Sequence, residues 1–174
     1  DFAQAYISRG IAIAELQDYK GAISDYNKAI EIDNNNSVAY LSRGSAKAEL
    51  LDFRGAISDY SKAISINPYY AKAYCYRGIS QAELQNYQGA IADFSKSIEL
   101  DRRYAKAYFG RGSANAELLD YSGAIVDYNK SIELDPKYDL AYNKRGISKA
   151  ELQDYRGAIS DYNKAIKINP KFIK

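Results

Sequence analysis

Residues 14–30 read AELQDYKGAISDYNKAI and residues 150–166 read AELQDYRGAISDYNKAI, differing only where Arg156 replaces Lys20. Outward from this stretch, Gly10, Gly44, Gly78, Gly112 and Gly146 fall 34 residues apart, with no insertion or deletion between them. Strict self-similarity at such a period marks stacked supersecondary units, so a length of 174 residues counts repeats rather than globular domains. Five units span residues 3–36, 37–70, 71–104, 105–138 and 139–172.

Each unit is numbered 1 to 34, with the glycines above at position 8. Thirteen positions never vary: alanine at positions 3, 12 and 20, tyrosine at 4, arginine at 7, glycine at 8 and 19, glutamate at 13, leucine at 14, isoleucine at 21 and 28, aspartate at 23 and lysine at 26. Positions 1–14 hold no proline, and positions 20, 21, 24, 27, 28 and 30 are apolar or small at helical spacing, which predicts two helices per unit. Asp or Asn at position 16 (Asp18, Asp52, Asn86, Asp120, Asp154) suits the opening of the second helix, where a side-chain oxygen accepts from free N–H groups. Pro68, Pro136 and Pro170 at position 32 stop it, because the residue before proline is pushed out of the α region. Glycine at 8 and alanine at 12 and 20 let the helices approach, and aromatics at 4, 17 and 24 fill the space between them. One such hairpin cannot bury its apolar faces alone, so stability must come from stacking.

A 34-residue helix-turn-helix unit with aromatics at 4 and 24, glycine at 8, alanine at 20, a small residue at 27 and proline at 32 resembles the tetratricopeptide repeat. Position 24 is Tyr26, Tyr60, Phe94, Tyr128 and Tyr162, and position 27 is Ala29, Ala63, Ser97, Ser131 and Ala165. The resemblance implies an all-α solenoid of five hairpins stacked into a right-handed superhelix. Its concave groove would be lined by the first helix of each repeat.

Two departures from that family stand out. Position 7, usually leucine, is Arg9, Arg43, Arg77, Arg111 and Arg145, and position 11, usually aromatic, is Ile13, Lys47, Gln81, Asn115 and Lys149. Asp25, Asp59, Asp93, Asp127 and Asp161 at position 23 offer partners, so buried Arg–Asp pairs within or between repeats are expected. An arginine row reading a ligand's phosphate or carboxylate is the alternative use.

With the groove placed by resemblance, a helical wheel puts positions 2, 5, 6, 9, 12 and 13 opposite the packed arc. Position 5 reads Ile7, Leu41, Cys75, Phe109 and Asn143, and position 9 reads Ile11, Ser45, Ile79, Ser113 and Ile147. These rows vary from unit to unit, as a surface reading one asymmetric ligand requires, and exposed apolar rows mark binding surfaces. The other reading is that they only touch the neighbouring first helix. Lys72, Lys106 and Lys144 add cations, and Glu15, Glu49, Glu83, Glu117 and Glu151 form a rim. The lysine and asparagine set with which some family members grip a chaperone's terminal carboxylate is absent: position 5 is never lysine and position 9 never asparagine.

The function classes narrow further by composition. A formal charge of +2 selects neither nucleic acid nor an anionic membrane. The sequence has no histidine and a single cysteine, so it lacks the commonest general base and metal ligand, and no metal, cofactor or catalytic residue is assigned. No apolar run approaches the roughly 18 residues of a membrane span, and the start lacks a signal-peptide pattern, so the chain reads as soluble. The leading expectation is a non-enzymatic scaffold whose groove holds a partly apolar peptide or helix of another protein. The competing one is a structural array, natural or idealised by design, that self-associates through uncapped ends. Phe2 matches position 34 of an earlier unit and no polar capping helix follows the last, which leaves a face around Ile159, Tyr162 and Ile166 to pair with another chain.

Overall fold

The computed structural model describes residues 2–170; Asp1 and residues 171–174, including the last two positions of the fifth repeat, lie outside the described residues. Ten helices follow one another, with no strand among the described residues: α1 (Phe2–Glu15), α2 (Tyr19–Ile32), α3 (Ser37–Glu49), α4 (Phe53–Ile66), α5 (Ala71–Glu83), α6 (Tyr87–Leu100), α7 (Ala105–Glu117), α8 (Tyr121–Leu134), α9 (Asp139–Glu151) and α10 (Tyr155–Ile168). The all-α class expected from the repeat is the class observed. The helices form two compact units, Asp1–Asn86 with α1–α5 and Tyr87–Lys174 with α6–α10.

The turn inside each repeat is built the same way five times. Gln17, Leu51, Gln85, Leu119 and Gln153, at position 15, take left-handed backbone with φ between 60° and 65°. The next N–H then reaches back to the last turn of the first helix, as from Asp52 to the Lys47 carbonyl at 2.9 Å and from Asp120 to the Asn115 carbonyl at 2.9 Å. This is a Schellman stop made without glycine. The same aspartate opens the second helix: the Asp18, Asp52, Asp120 and Asp154 carboxylates each accept from the N–H of a glycine three residues on at 2.9 Å. Glycine is needed there because a Cβ on Gly21 or Gly55 would collide with the capping carboxylate.

Packing within a hairpin turns on position 8. A Cβ on Gly10 would lie 2.6 Å from the Tyr26 ring, on Gly44 2.8 Å from Tyr60, and on Gly146 2.6 Å from Tyr162. The glycine thus lets the aromatic at position 24 lie flat against the first helix. Tyr26, Tyr60, Phe94 and Tyr128 are almost wholly buried, each worth about 2 kcal/mol of hydrophobic stabilisation.

Hairpins join through a second seam, in which each first helix lies on the preceding second helix: α3 on α2, α5 on α4, α7 on α6 and α9 on α8. Small residues make this approach possible. Ala39, Ala73, Ala107 and Ala141 at position 3 are fully buried, Ala39 against Ala29 and Ala73 against Ala63.

Candidate functional site

The Arg and Asp rows meet in each hairpin whose two helices share a unit. Arg43 donates from Nε and Nη2 to the two Asp59 oxygens at 2.9 and 2.6 Å, Arg111 to Asp127 at 2.9 and 2.7 Å, and Arg145 to Asp161 at 2.8 and 2.5 Å. Arg9 holds Asp25 the same way, at 2.6 and 2.7 Å. Arg77 and Asp93 belong to different units; within its own unit Arg77 donates to Ser61 Oγ at 3.0 Å. The remaining nitrogen of Arg43, Arg111 and Arg145 likewise reaches back across the seam, to Asn27, Ser95 and Asn129 at 2.7, 3.2 and 2.6 Å. Each guanidinium also lies over the tyrosine three residues earlier, Arg43 at 5.3 Å from the Tyr40 ring and Arg145 at 5.4 Å from Tyr142.

These arginines are therefore committed to the fold, and position 11 joins them. Lys47 and Lys149 pair with Asp59 and Asp161 at 2.7 and 2.8 Å, and Asn115 donates to Asp127 at 3.4 Å. Hydrogen bonds from Arg9 hold the Asp25 carboxyl below its ordinary range. Burial pushes Asp161 up, but Arg145 and Lys149 together outweigh it and hold that carboxyl low as well.

The first unit contains a concave pocket of about 480 Å³ on its first helices, with Ile11 and Glu15 from α1, Leu41, Ser45 and Glu49 from α3, and Lys72 and Tyr76 from α5 among its lining residues. Gln17, Tyr19 and Tyr26 complete one side. Ser45 Oγ donates to the Leu41 carbonyl at 3.0 Å and accepts from Tyr60 at 3.4 Å, which fixes the polar spot on the floor. The Tyr60 and Tyr76 rings stand 6.0 Å apart, and Lys72 Nζ lies 5.4 Å from the Tyr76 centroid. Burial raises the Tyr60 hydroxyl to about 12, so at neutral pH it presents a proton and no charge.

The rim glutamates differ from others on the surface. Glu31, Glu99 and Glu133 on second helices pair with Lys28, Lys96 and Lys130 at 3.0, 2.7 and 2.7 Å. Glu15, Glu49, Glu83, Glu117 and Glu151 are exposed, and among the described residues none has a cation or hydrogen-bond donor as partner. The pocket thus sets Ile11 and Leu41 beside the polar Ser42 and Ser45, with two unpaired carboxylates, Glu15 and Glu49, and one cation, Lys72, at its α5 side.

Some groove candidates lie elsewhere. Ile7 and Cys75 are fully buried, so position 5 offers no ligand contact at those two sites. Ile7 packs on Ala29 and Ala39, the seam with the next hairpin, because position 5 borders both that seam and the concave face. Leu41 is also in the core beside Ala73, while one edge of it lines the pocket. Ile11 and Ser45 line the pocket, and Ile79 is half-buried. In the second unit Phe109 is wedged between Tyr128 and Tyr138, with centroids 5.8 and 4.8 Å away, and Ser113 accepts from Tyr128 at 3.3 Å. Asn143 and Lys144 are half-buried, and Lys106 and Ile147 are exposed.

Ten helices in stacked hairpins of one repeating build define an α-helical repeat solenoid. The tetratricopeptide repeat family matches residues 71–104, 105–138 and 140–172, and related repeat descriptions match residues 37–70 and 10–50. The chain belongs to the tetratricopeptide repeat family. Its fold is similar to that of MamA, at 26% identity and TM-score 0.82 over 93% of this chain and 95% of that one. MamA residues 41-end from Desulfovibrio magneticus RS-1 align at 18% identity and TM-score 0.86, over 100% and 98%. YrrB, described as a TPR protein with an unusual peptide-binding site, aligns at 21% identity and TM-score 0.76, over 97% and 87%. The latter two speak to the fold alone. No curated protein matches the sequence significantly. No helix among the described residues is long and apolar enough to cross a membrane.

Proposed function

We propose that the five repeats act as one array, a protein–protein interaction scaffold whose first helices hold a partly apolar peptide or helix of a partner. The observation that carries this reading is the pocket of α1, α3 and α5, where Ile11 and Leu41 meet the unpaired carboxylates Glu15 and Glu49. Unpaired acids at the edge of an apolar recess favour a segment that brings its own Lys or Arg. A peptide-binding site in YrrB, of similar fold, supports the same use of the repeat. The reading assigns no chemistry: the rim glutamates are five copies of one position, and catalysis needs one environment set apart from the rest.

The test is selection of peptides from a random display library, followed by fluorescence-anisotropy titration of the enriched sequences against the chain and its Ile11→Glu and Glu49→Lys variants. Both residues are solvent-exposed, so helicity by circular dichroism stays unchanged. Enriched peptides carry an apolar residue beside a Lys or Arg, and each variant weakens binding by about tenfold or more, a loss of about 1.4 kcal/mol. Enrichment of nothing, or equal binding by both variants, overturns the reading.

A further inference from the structure

We propose that the Tyr26 hydroxyl donates a hydrogen bond to a main-chain carbonyl of the segment held on α1, α3 and α5, which rests on the peptide-binding reading and adds to it the group that fixes the segment's backbone. Positions 9 and 24 are matched in three repeats: Ser45 with Tyr60, Ser113 with Tyr128, and Ile79 with Phe94. Where position 9 carries a hydroxyl, the tyrosine at 24 donates to it, Tyr60 to Ser45 Oγ at 3.4 Å and Tyr128 to Ser113 Oγ at 3.3 Å. Where position 9 is Ile79, position 24 is Phe94, without a hydroxyl. The first and fifth repeats break the match, with Ile11 for Tyr26 and Ile147 for Tyr162. Of these two tyrosines, Tyr26 is the one that is buried and lines a pocket on the first helices.

Packing directs the hydroxyl. Tyr26 is 2% exposed, and its ring lies so flat on Gly10 that a Cβ there would come within 2.6 Å of it. Gly44 holds Tyr60 in the same way, and the Tyr60 hydroxyl ends at Ser45, the residue after that glycine and part of the pocket lining. The same build ends the Tyr26 hydroxyl at Ile11, the residue after Gly10, and both of these line the pocket. Among the described residues the hydroxyl has no hydrogen-bond partner. A buried donor without an acceptor is destabilising, and the side left open to an acceptor is the pocket.

The surroundings select the acceptor. Burial raises the Tyr26 hydroxyl above its ordinary range, and the charges of Asp25 and Glu15 add to this, so it keeps its proton and donates. A carboxylate or phosphate taking that bond would meet the charge of Glu15, with Glu49 lining the same pocket, and be repelled. Lys72 does not offset this, because it stands over Tyr76 on α5, beyond α3. A neutral carbonyl meets no such repulsion, and every peptide brings one at each residue. Held there, the segment's backbone places a Lys or Arg on or next to that residue within reach of Glu15. One placed polar group in a largely apolar recess is enough to fix a ligand's orientation.

Tyr26→Phe removes the hydroxyl and keeps the ring, and Phe94 shows the same repeat position filled without it. Peptides enriched on the parent chain are titrated by fluorescence anisotropy against this variant and against Tyr60→Phe, whose hydroxyl is committed to Ser45. Tyr26→Phe melts no lower than the parent and binds about tenfold more weakly, while Tyr60→Phe binds like the parent. Amide-to-ester replacement along the peptide weakens one carbonyl at a time as an acceptor. At one position the cost seen with the parent is lost with Tyr26→Phe, which identifies the bonded carbonyl. Equal binding by Tyr26→Phe and the parent overturns the proposal and leaves the peptide-binding reading standing, provided Ile11→Glu and Glu49→Lys still weaken binding. A lowered melting temperature in Tyr26→Phe, an equal loss in Tyr60→Phe, or the same ester costs with parent and variant at every position also overturns it. Enrichment of no peptide overturns both.

Discussion

Arg145 clasps Asp161 with two nitrogens and reaches Asn129 of the preceding hairpin with the third, at 2.8, 2.5 and 2.6 Å. One side chain thereby ties a first helix to its own partner and to its predecessor. The same arrangement at Arg43 and Arg111 makes position 7 a brace in place of an apolar contact.

Arg111→Ala leaves Asp127 buried with only the long bond from Asn115. Removing one partner of a buried pair costs about 3 kcal/mol, which urea denaturation will show as a lower midpoint. Arg9→Ala has a smaller effect, because that side chain is already mostly solvated.

Ser131 Oγ is buried without a hydrogen-bond partner among the described residues, at a position where Ala29, Ala63 and Ala165 stand in other repeats. Ser131→Ala removes an unsatisfied hydroxyl from a site that already accepts alanine. The expected result is a gain of about 1 kcal/mol in the same denaturation experiment.

Leu119 sits in left-handed backbone at φ 65° with its side chain in solvent. Leu119→Gly relieves the strain while losing little buried surface, and raises stability by about 0.5 kcal/mol after the entropy of glycine in the unfolded chain is set against it. Leu119→Val lowers it, since a β-branched side chain fits that backbone worst.

Stability is bounded on both sides by ionisation. Burial raises the Tyr60 and Tyr128 hydroxyls to about 12, and their bonds to Ser45 and Ser113 only partly oppose this. The fold therefore favours the protonated tyrosines. Their contribution is complete below the ordinary value of 10.0 and is lost as pH rises toward about 12. On the acid side, Asp25 and Asp161 are held low, so their contribution is present above the ordinary 3.8 and is lost as pH falls through the lowered values. Thermal melts across pH should show a plateau between these limits. In absorbance at 295 nm, Tyr60 and Tyr128 should ionise last.

The period and the invariant small residues made the hairpins legible in the sequence, because glycine at position 8 and an aromatic at 24 are useful only together. The turn was not legible in full: Gln and Leu at position 15 carry no sign of left-handed backbone, which only the Schellman hydrogen bonds enforce. Nor was the third arginine bond, since Asn27 or Ser95 reads as an ordinary surface polar residue until the next hairpin lies against it. A helical wheel assigned position 5 to the concave face. Ile7 and Cys75 are buried instead, because the wheel knows angles on one helix and not how far a neighbour covers them.

The most direct test of the account is the footprint of a selected peptide in amide chemical-shift spectra of the labelled chain. The account predicts that shifts concentrate at Ile11, Glu15, Ser45, Glu49 and Tyr76, around the pocket. Shifts confined to the second-helix surfaces, or to the exposed side of α10 around Ile159, would contradict it.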